Sequence, residues 1–320
     1  MNPKRIVSIV LLVIVLAALV GLPLVNKKDS VINMLILVLL YMTLASSWNI
    51  LGGYTGQTNL GQAAFFGIGS LTTRLLWIKG IPFIASFLAG GVVAVVLALV
   101  IGAPAFRLKG VYFAIGTLAL AQILNITVGN ILPDMSYNPA LSNYHLVPRY
   151  YLFLGLAVFI IALAYFLVNS KWGLGMMAVR EGEDAAESLG ISALKHKLLA
   201  LTISAFLTGL VGGAFAYYHV SYYLYMPFGP EWTFDPMMMA YIGGTGTIIG
   251  PIIGSIFFVG LQQLLVMKVG EWHLIIFGVL FVLIVLFLPG GLVEAWTKIR
   301  KAFTHRTSSK GMQTPSTNEV

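Results

Sequence analysis

The stretch that decides the fold is Lys171–Ser192, which reads KWGLGMMAVREGEDAAESLGIS. Charged residues make up only 9% of the whole chain, yet five of them fall within the eight positions from Arg180 to Glu187. Charge this dense cannot lie in hydrocarbon at a reasonable energetic cost. Because long apolar runs flank the stretch on both sides, we expect a short aqueous segment held at the membrane face between two spanning helices.

Local sequence signals predict a helix inside this charged segment. Glu181, Glu183 and Asp184 suit a helix N-terminus, where carboxylates meet the positive end of the helix dipole. Gly190 is a natural helix stop, and Ser192 can cap a second helix that begins at the next residue and enters the membrane. The segment therefore predicts one short helix at the membrane surface, followed by a spanning helix.

The short helix is predicted to be amphipathic. Helical spacing places Ala185, Ala186 and Leu189 on one face and Glu183 and Glu187 on another. The small side chains of the first face would allow close approach of a partner protein. The same pattern also fits a solvated loop helix with no partner, and the residues alone leave both interpretations open.

The overall composition indicates a polytopic membrane protein. The chain has 320 residues, of which 58% are hydrophobic, and its mean hydropathy is +0.91. It contains no cysteine, which excludes disulfides, thiol chemistry and cysteine metal sites. The net charge of +8 arises from basic residues at the ends of apolar runs and in the C-terminal tail. That placement favours control of topology and contact with anionic lipid over nucleic-acid binding.

Eight apolar runs are long enough to be read as membrane spans. The first could be a cleaved signal peptide, but it is long for one and no small-residue cleavage site follows it. We therefore predict an uncleaved first span. The eight runs cover residues 6–25, 31–51, 81–101, 111–129, 150–168, 198–218, 252–267 and 272–288.

Two further runs, 52–73 and 237–254, are rich in glycine. Glycine allows tight helix packing, which explains many of these residues without any transport role. Alternatively, an unwound segment at membrane depth would be tolerated inside protein or along a water-filled cavity, and polar side chains there could pass a zwitterion. The predicted pathway residues are Gly53, Gly56, Gln57, Asn59, Gly61, Gln62, Gly243, Gly244, Gly246, Gly250 and Gly254.

The distribution of charge predicts the sidedness of the loops. Arg107 and Lys109 lie in one linker, which is expected to be cytoplasmic, as are both termini. Segments 130–148 and 221–236 contain no lysine or arginine and are predicted to be external. Four basic residues do not fit this scheme and would lie outside: Lys27, Lys28, Arg74 and Lys79.

With both termini inside, the number of crossings must be even. If each glycine-rich run crosses once, ten spans result, and the broken element is third in each of two halves of opposite orientation. Such a 5+5 inverted repeat with paired glycine-interrupted segments points to a translocation pathway. The halves are roughly 1–130 and 149–290 within a membrane domain 1–303, followed by a disordered tail 304–320. If both glycine-rich runs are re-entrant, the number falls to eight.

The sequence holds no constellation for catalysis or metal binding. It contains no G-x-x-x-x-G-K-[ST] loop, so ATP would have to be bound by another chain. The five histidines do not pair at metal-ligand spacing, and no Ser–His–Asp arrangement occurs. We therefore predict that the chain is not an enzyme. The predicted membrane cores contain no Asp or Glu, which argues against a proton-coupled carrier.

Four blocks of sequence resemble the LivM-like permeases, which are membrane subunits of ATP-binding-cassette importers for branched-chain amino acids. The resemblance covers roughly residues 31 to 290 in collinear order. The blocks are GGYTGQTNLGQAAFFGIGS (52–70), RLKGVYFAIGTLALAQI (107–123), KHKLLALTISAFLTGLVGGAFA (195–216) and GGTGTIIGPIIGS (243–255).

The charged segment also resembles the cytoplasmic EAA loop of such importers, in which a helix docks on the ATPase subunit. Asp184 stands where the family has Glu, Ala185 and Ala186 follow, and Gly190 comes after three more residues. The resemblance implies a coupling loop over 171–197. Its predicted contact residues are Glu183, Asp184, Ala185, Ala186, Glu187, Leu189 and Gly190.

The resemblance further implies a second, LivH-like permease, two ABC ATPase subunits and an extracytoplasmic substrate-binding protein as partners in the cell inner membrane. ATP and Mg would be bound by the ATPases, and no cofactor by this chain. Leucine, isoleucine and valine are the expected substrates. Urea, short amides or other amino acids are alternatives for the same machinery, and a stand-alone secondary transporter is a competing class.

Overall fold

The computed structural model describes residues 3–25, 28–132, 144–219, 223, 225–287 and 290–298, and all regular structure in these ranges is helical. The predicted all-α class is therefore confirmed, while the tail 304–320 lies outside the described residues. The helices are α1 (Pro3–Val25), α2 (Asp29–Gly52), α3 (Gln62–Ile78), α4 (Phe83–Ala105), α5 (Val111–Ile131), α6 (Leu146–Val168), α7 (Lys171–Glu181), α8 (Glu183–Ser188), α9 (Ala193–Tyr218), α10 (Glu231–Gly243), α11 (Ile249–Val269), α12 (His273–Phe287) and α13 (291–298).

Six of these helices are long and apolar enough to cross a membrane: α2, α4, α5, α6, α9 and α11. The chain is thus a multi-pass membrane protein, as predicted. Helices α3, α10 and α12 have 17, 13 and 15 residues, fewer than the roughly 20 that a straight crossing needs. The total of ten crossings, or eight, stays a prediction.

Helix α9 forms the centre of the bundle and contacts α2, α3, α4 and α6. Glycines on the packed faces allow this. A Cβ on Gly212 would overlap the carbonyl oxygen of Phe66, and one on Gly69 would overlap the backbone of Gly209. Since helices in lipid gain association energy from close packing, these small residues let α3 lie directly against α9.

The first glycine-rich run is broken, as predicted. Helix α2 ends at Gly52, residues 53–61 are not helical, and α3 begins at Gln62. We call residues 53–61 the first break. The Gln62 Nε2 donates to the Leu44 carbonyl at 2.9 Å, and Leu44 lies eight residues before Gly52, the end of α2. Eight residues of helix span about 12 Å, so the first break rises from the end of α2 into the interior of the bundle.

The second glycine-rich run differs from its prediction as a single broken crossing. Its first part is the end of α10, residues 244–248 form a turn, and its last part begins α11. We call residues 244–248 the second break. Gly243 packs against Gly250, and Gly254 against the Met239 carbonyl. The glycines permit a tight hairpin of two helices, which the glycine content alone could not distinguish from an unwound span.

The unwound part of this second region precedes α10 instead. A 3₁₀ turn at Met226–Phe228 places the Phe228 ring against Gly67 of α3, and the Trp232 ring stacks on Phe66 with centroids 4.7 Å apart. The prediction that all of segment 221–236 lies outside is therefore wrong for its later part. Aromatic side chains draw it in among α2, α3 and α9.

Contacts of α3 and α4 in the first half have counterparts at α10 and α11 in the second half. Helix α3 packs on α4 and α9, while α10 packs on α11 and α2; likewise α4 packs on α9, and α11 on α2. Pairing α2 with α9, α3 with α10 and α4 with α11 maps one set onto the other. Two repeated halves would produce this pattern, but the repeat and its opposite orientation in the membrane stay predictions.

Two buried arginines hold the C-terminal end of α9, which is predicted to be external and is called the outer end. Arg74 donates to the Ala216 carbonyl at 3.0 Å, and the Arg149 Nε donates to the Tyr217 carbonyl at 3.0 Å. The Arg149 guanidinium also lies 3.9 Å from the Tyr144 ring centroid. Cations at terminal helix carbonyls complement the dipole. Burial thus accounts for Arg74, which did not fit the charge distribution.

Candidate functional site

The charged loop, residues 171–197, contains two short helices and the start of α9. The Ser170 hydroxyl caps α7 by accepting from the Gly173 N–H, and α8 begins at Glu183. Gly190 has φ +81, a conformation that favours glycine. The predicted short helix and its stop are thus present, and the structure adds α7 before them; the position of the helix at the membrane face stays a prediction.

The predicted contact face of α8 is wrong for Ala186. Its side chain is 2% exposed and packs against Val179 and Ala193 inside the chain, whereas Ala185 is exposed and Leu189 is 80% exposed. In a helix Ala185 and Leu189 share one face and Ala186 is turned by about 100°. Ala186 therefore fastens α8 to the rest of the charged loop.

The acidic residues of α8 face a cavity of about 340 Å³. Glu183, Asp184 and Glu187 line one side, and Arg107 and Lys109 of the α4–α5 linker line another. The linker and the charged loop, both predicted to be cytoplasmic, therefore meet at the same end of the bundle, which we call the inner end. Its surface combines both charge signs around a concave feature that a partner protein could enter.

The two breaks meet at this inner end, although they are far apart in sequence. The Asn49 Nδ2 donates to the Thr247 carbonyl at 2.9 Å, and the Asn49 Oδ1 accepts from the Gly246 N–H at 2.8 Å. A Cβ on Gly53 would lie 2.6 Å from the Gly246 nitrogen, so the two backbones touch. We call this contact between the first and second breaks the seam.

The charged loop reaches the seam through Arg180. Its Nη1 donates to the Gly53 carbonyl at 2.7 Å. A Cβ on Gly246 would overlap that nitrogen, and one on Gly56 would lie 3.1 Å from the Arg180 Cγ. The glycines that looked like pathway candidates thus make room here for an arginine side chain.

A second contact joins the charged loop to the first break. The Gln57 Nε2 donates to the Glu183 Oε1 at 3.3 Å, and the same oxygen pairs with Lys197 of α9. Lys197 is nearly buried, with 5% of its side chain exposed. Glu183 therefore links α8, α9 and the first break at one point.

The other polar pathway candidates hold the first break in shape. The Asn59 Oδ1 accepts from the Gly61 N–H, and the Asn59 carbonyl accepts from the Trp48 indole at 2.8 Å. The Ala63 N–H at the start of α3 donates to the Thr233 hydroxyl at the start of α10, at 2.9 Å. The N-termini of two short helices therefore meet inside the bundle, a contact that neither sequence pattern signalled.

Six apolar spans, two interrupted segments in contact and a charged loop bound to them define a membrane transport component. The family described as "Branched-chain amino acid transport system / permease component" matches residues 30–285. The chain belongs to this family.

Several known proteins are similar to it. The permease protein LivM of a high-affinity branched-chain amino acid transport system in Escherichia coli is 26% identical, over 88% of this chain and 74% of its own length. A probable LivM of Methanocaldococcus jannaschii is 24% identical, over 79% of this chain and 90% of its own. The autoinducer 2 import permease LsrC of Enterobacter sp. is 28% identical over 49% and 48%. No solved structure matches.

Proposed function

We propose that this chain is the membrane permease subunit of an ATP-binding-cassette importer that carries leucine, isoleucine and valine inward. ATP and Mg are bound by two partner ATPases in the cytoplasm. A second, LivH-like permease completes the membrane part, and an extracytoplasmic binding protein delivers the substrate. Both termini lie in the cytoplasm, and the membrane is the cell inner membrane.

The observation that carries this proposal is the direct contact between the charged loop and the seam. Arg180 binds the Gly53 carbonyl and Glu183 binds Gln57, so the loop grips the first break at two points. A partner that moves the charged loop therefore moves the region where both halves of the bundle are interrupted. Family membership and the names of the similar LivM proteins support the same reaction and substrate class.

The docking surface on the ATPase side is the exposed face of α8, Ala185 and Leu189, beside the acidic residues of the 340 Å³ cavity. Leu189→Asp should lower ATP-driven uptake at least tenfold while the thermal stability of the chain stays unchanged. Ala186→Trp should instead destabilise the chain, because Ala186 packs inside it. Equal uptake by Leu189→Asp and the parent chain would contradict docking through this face.

The substrate class is tested by uptake in a deletion strain. The chain is co-expressed with the second permease, the ATPases and the binding protein encoded beside it, and labelled leucine uptake is measured. Unlabelled isoleucine and valine should compete, whereas urea and acetamide should not. Competition by urea, with none by isoleucine or valine, would contradict the proposed substrates and favour urea as the substrate of the same importer.

A second candidate, a stand-alone ion-coupled carrier, is favoured by Asp235. The predicted cores contained no carboxylate, yet the Asp235 carboxylate accepts from the Tyr41 hydroxyl at 3.3 Å, halfway along α2. Carboxylates inside membrane bundles often belong to ion pathways. Liposomes that hold only this chain distinguish the two candidates. Solute accumulation driven by an ion gradient, and abolished by Asp235→Asn, would establish the carrier and overturn the importer.

A further inference from the structure

Arg180 lies where the charged loop meets the seam. We infer that Arg180 is a positioning residue that holds the inner end of the seam closed, and that its guanidinium must leave the Gly53 carbonyl before the seam opens. The importance of this opening for transport rests on the proposed function, whereas the closing contact itself does not.

The hydrogen bond from Arg180 joins the charged loop to the C-terminal end of α2. Gly53 is the C-cap of α2, and carbonyls at a helix C-terminus have no partner within their own helix. A cation there also complements the negative end of the dipole. Arg180 therefore stabilises the point at which α2 gives way to the first break.

The surrounding glycines restrict the arginine to this position. The Nη1 lies where a Cβ on Gly246 would be, and the Cγ lies beside Gly56. The guanidinium thus occupies space between the two breaks that any larger residue would fill. The described hydrogen bonds across the seam come from the Asn49 side chain, and the guanidinium adds a packing contact with Gly246.

The contact can be broken at little structural cost, unlike the contacts of the buried arginines Arg74 and Arg149. Arg180 is exposed on its solvent side, so water can replace the bond to the Gly53 carbonyl. Arg149 at the outer end is 1% exposed and lies between two tyrosine rings. A residue that must move during a cycle is expected at the first kind of site rather than the second.

The charged loop supplies the movement. Arg180 lies in the last turn of α7, and Glu183 begins α8 two residues after that helix ends. A displacement of α8 that pulls Glu183 from Gln57 also pulls on Arg180 through Gly182. The two bonds to the first break are therefore released together.

A reporter position lies behind the closed seam. Ser46 is one turn deeper along α2 than Asn49 and is 6% exposed, and its hydroxyl has no hydrogen-bond partner among the described residues. Together with Tyr54 and Ile248 these residues line a narrow crevice. Opening of the seam should expose Ser46 to water.

The chain has no cysteine, so Ser46→Cys gives it a single reactive thiol. The purified chain in detergent is treated with a bulky, water-soluble maleimide, and the rate of modification is measured. Arg180→Ala should raise that rate at least tenfold, and Arg180→Lys should give an intermediate value because it keeps the charge but loses the fork of donors.

Two controls separate opening of the seam from loss of the fold. Lys195→Ala removes an exposed cation from the same loop and should leave the rate unchanged. Ser86→Cys, fully buried near the start of α4, should stay protected in the Arg180→Ala background. An unchanged rate at Ser46→Cys, or an equal rise with Lys195→Ala, would overturn the inference.

If Arg180→Ala exposes both thiols equally, the arginine is a general stabiliser and the inference fails. The result is independent of the substrate, because it requires neither partner proteins nor uptake. A seam that opens in a chain that supports no leucine uptake would retain this inference and refute the proposed function.

Discussion

The inner and outer ends of the bundle are both held by arginine side chains that donate to backbone carbonyls, but in opposite ways. At the outer end Arg74 and Arg149 are buried and bind the last turn of α9. At the inner end Arg180 is exposed and binds a break across a seam between glycines. The same chemical contact is thus a fixed support where water is excluded and a releasable one where water has access.

The largest effect is expected at the outer end. Arg149→Ala removes hydrogen bonds to the Tyr217 and His145 carbonyls and a cation stacked on Tyr144. Because a charged hydrogen bond to the part-buried Tyr217 carbonyl and the cation–π contact are lost together, the cost should be about 3 kcal/mol. Thermal melting of the purified chain checks it. Lys79→Ala, an exposed cation near the same end, should not shift the melting temperature.

The next effect contrasts two glycines with the same backbone requirement. Gly246 and Gly80 have φ of +77 and +86. Alanine at either should cost about 1–2 kcal/mol for the left-handed conformation. Only Gly246→Ala also displaces Arg180, because nothing lies within 4 Å of a Cβ on Gly80.

Leucine uptake by the assembled transporter should therefore fall at least tenfold with Gly246→Ala and stay near the parent value with Gly80→Ala. Thermal melting of both variants provides the reference for the backbone cost. If uptake falls equally in Gly246→Ala and Gly80→Ala, backbone strain rather than displacement of Arg180 lowers transport. That result would contradict a special role for the seam at the inner end.

The smallest effect is expected for the ion pair of the charged loop. Glu183→Gln removes the charge that pairs with Lys197, and because Glu183 is part exposed the loss should be about 1 kcal/mol. High salt should reduce the difference between the variant and the parent in urea unfolding. Glu187→Gln, on the exposed side of α8, serves as the control. A larger loss of stability for Glu187→Gln than for Glu183→Gln would contradict the stabilising role of the Glu183–Lys197 ion pair.

Much of this architecture could be predicted from the sequence. The apolar runs gave the spanning helices, because burial in lipid requires long apolar segments. The glycines and the Asn and Gln residues in 52–62 predicted the first break, and the clustered charges predicted the aqueous loop. These signals are local, and each follows from the free energy of placing residues in hydrocarbon or in water.

The remaining features depend on contacts between distant residues. Ala186 turns inward because Val179 and Ala193 receive it, and Asp235 lies inside because Tyr41 offers a hydroxyl. In the sequence Arg180 is one of five clustered charges, and its hydrogen bond to the Gly53 carbonyl could not be predicted from its neighbours. Glycine content alone also could not separate an unwound crossing from the tight turn between α10 and α11.

The outer arginines have a consequence for how the chain is made. Arg74 binds a carbonyl 142 residues later, and Arg149 one that is 68 residues later. During synthesis on the ribosome both cations reach the bilayer before their acceptors on α9 exist. They must wait, hydrated or shielded by the insertion machinery, until α9 emerges. A truncation before residue 216 removes both contacts, and we expect quality-control proteases to clear it.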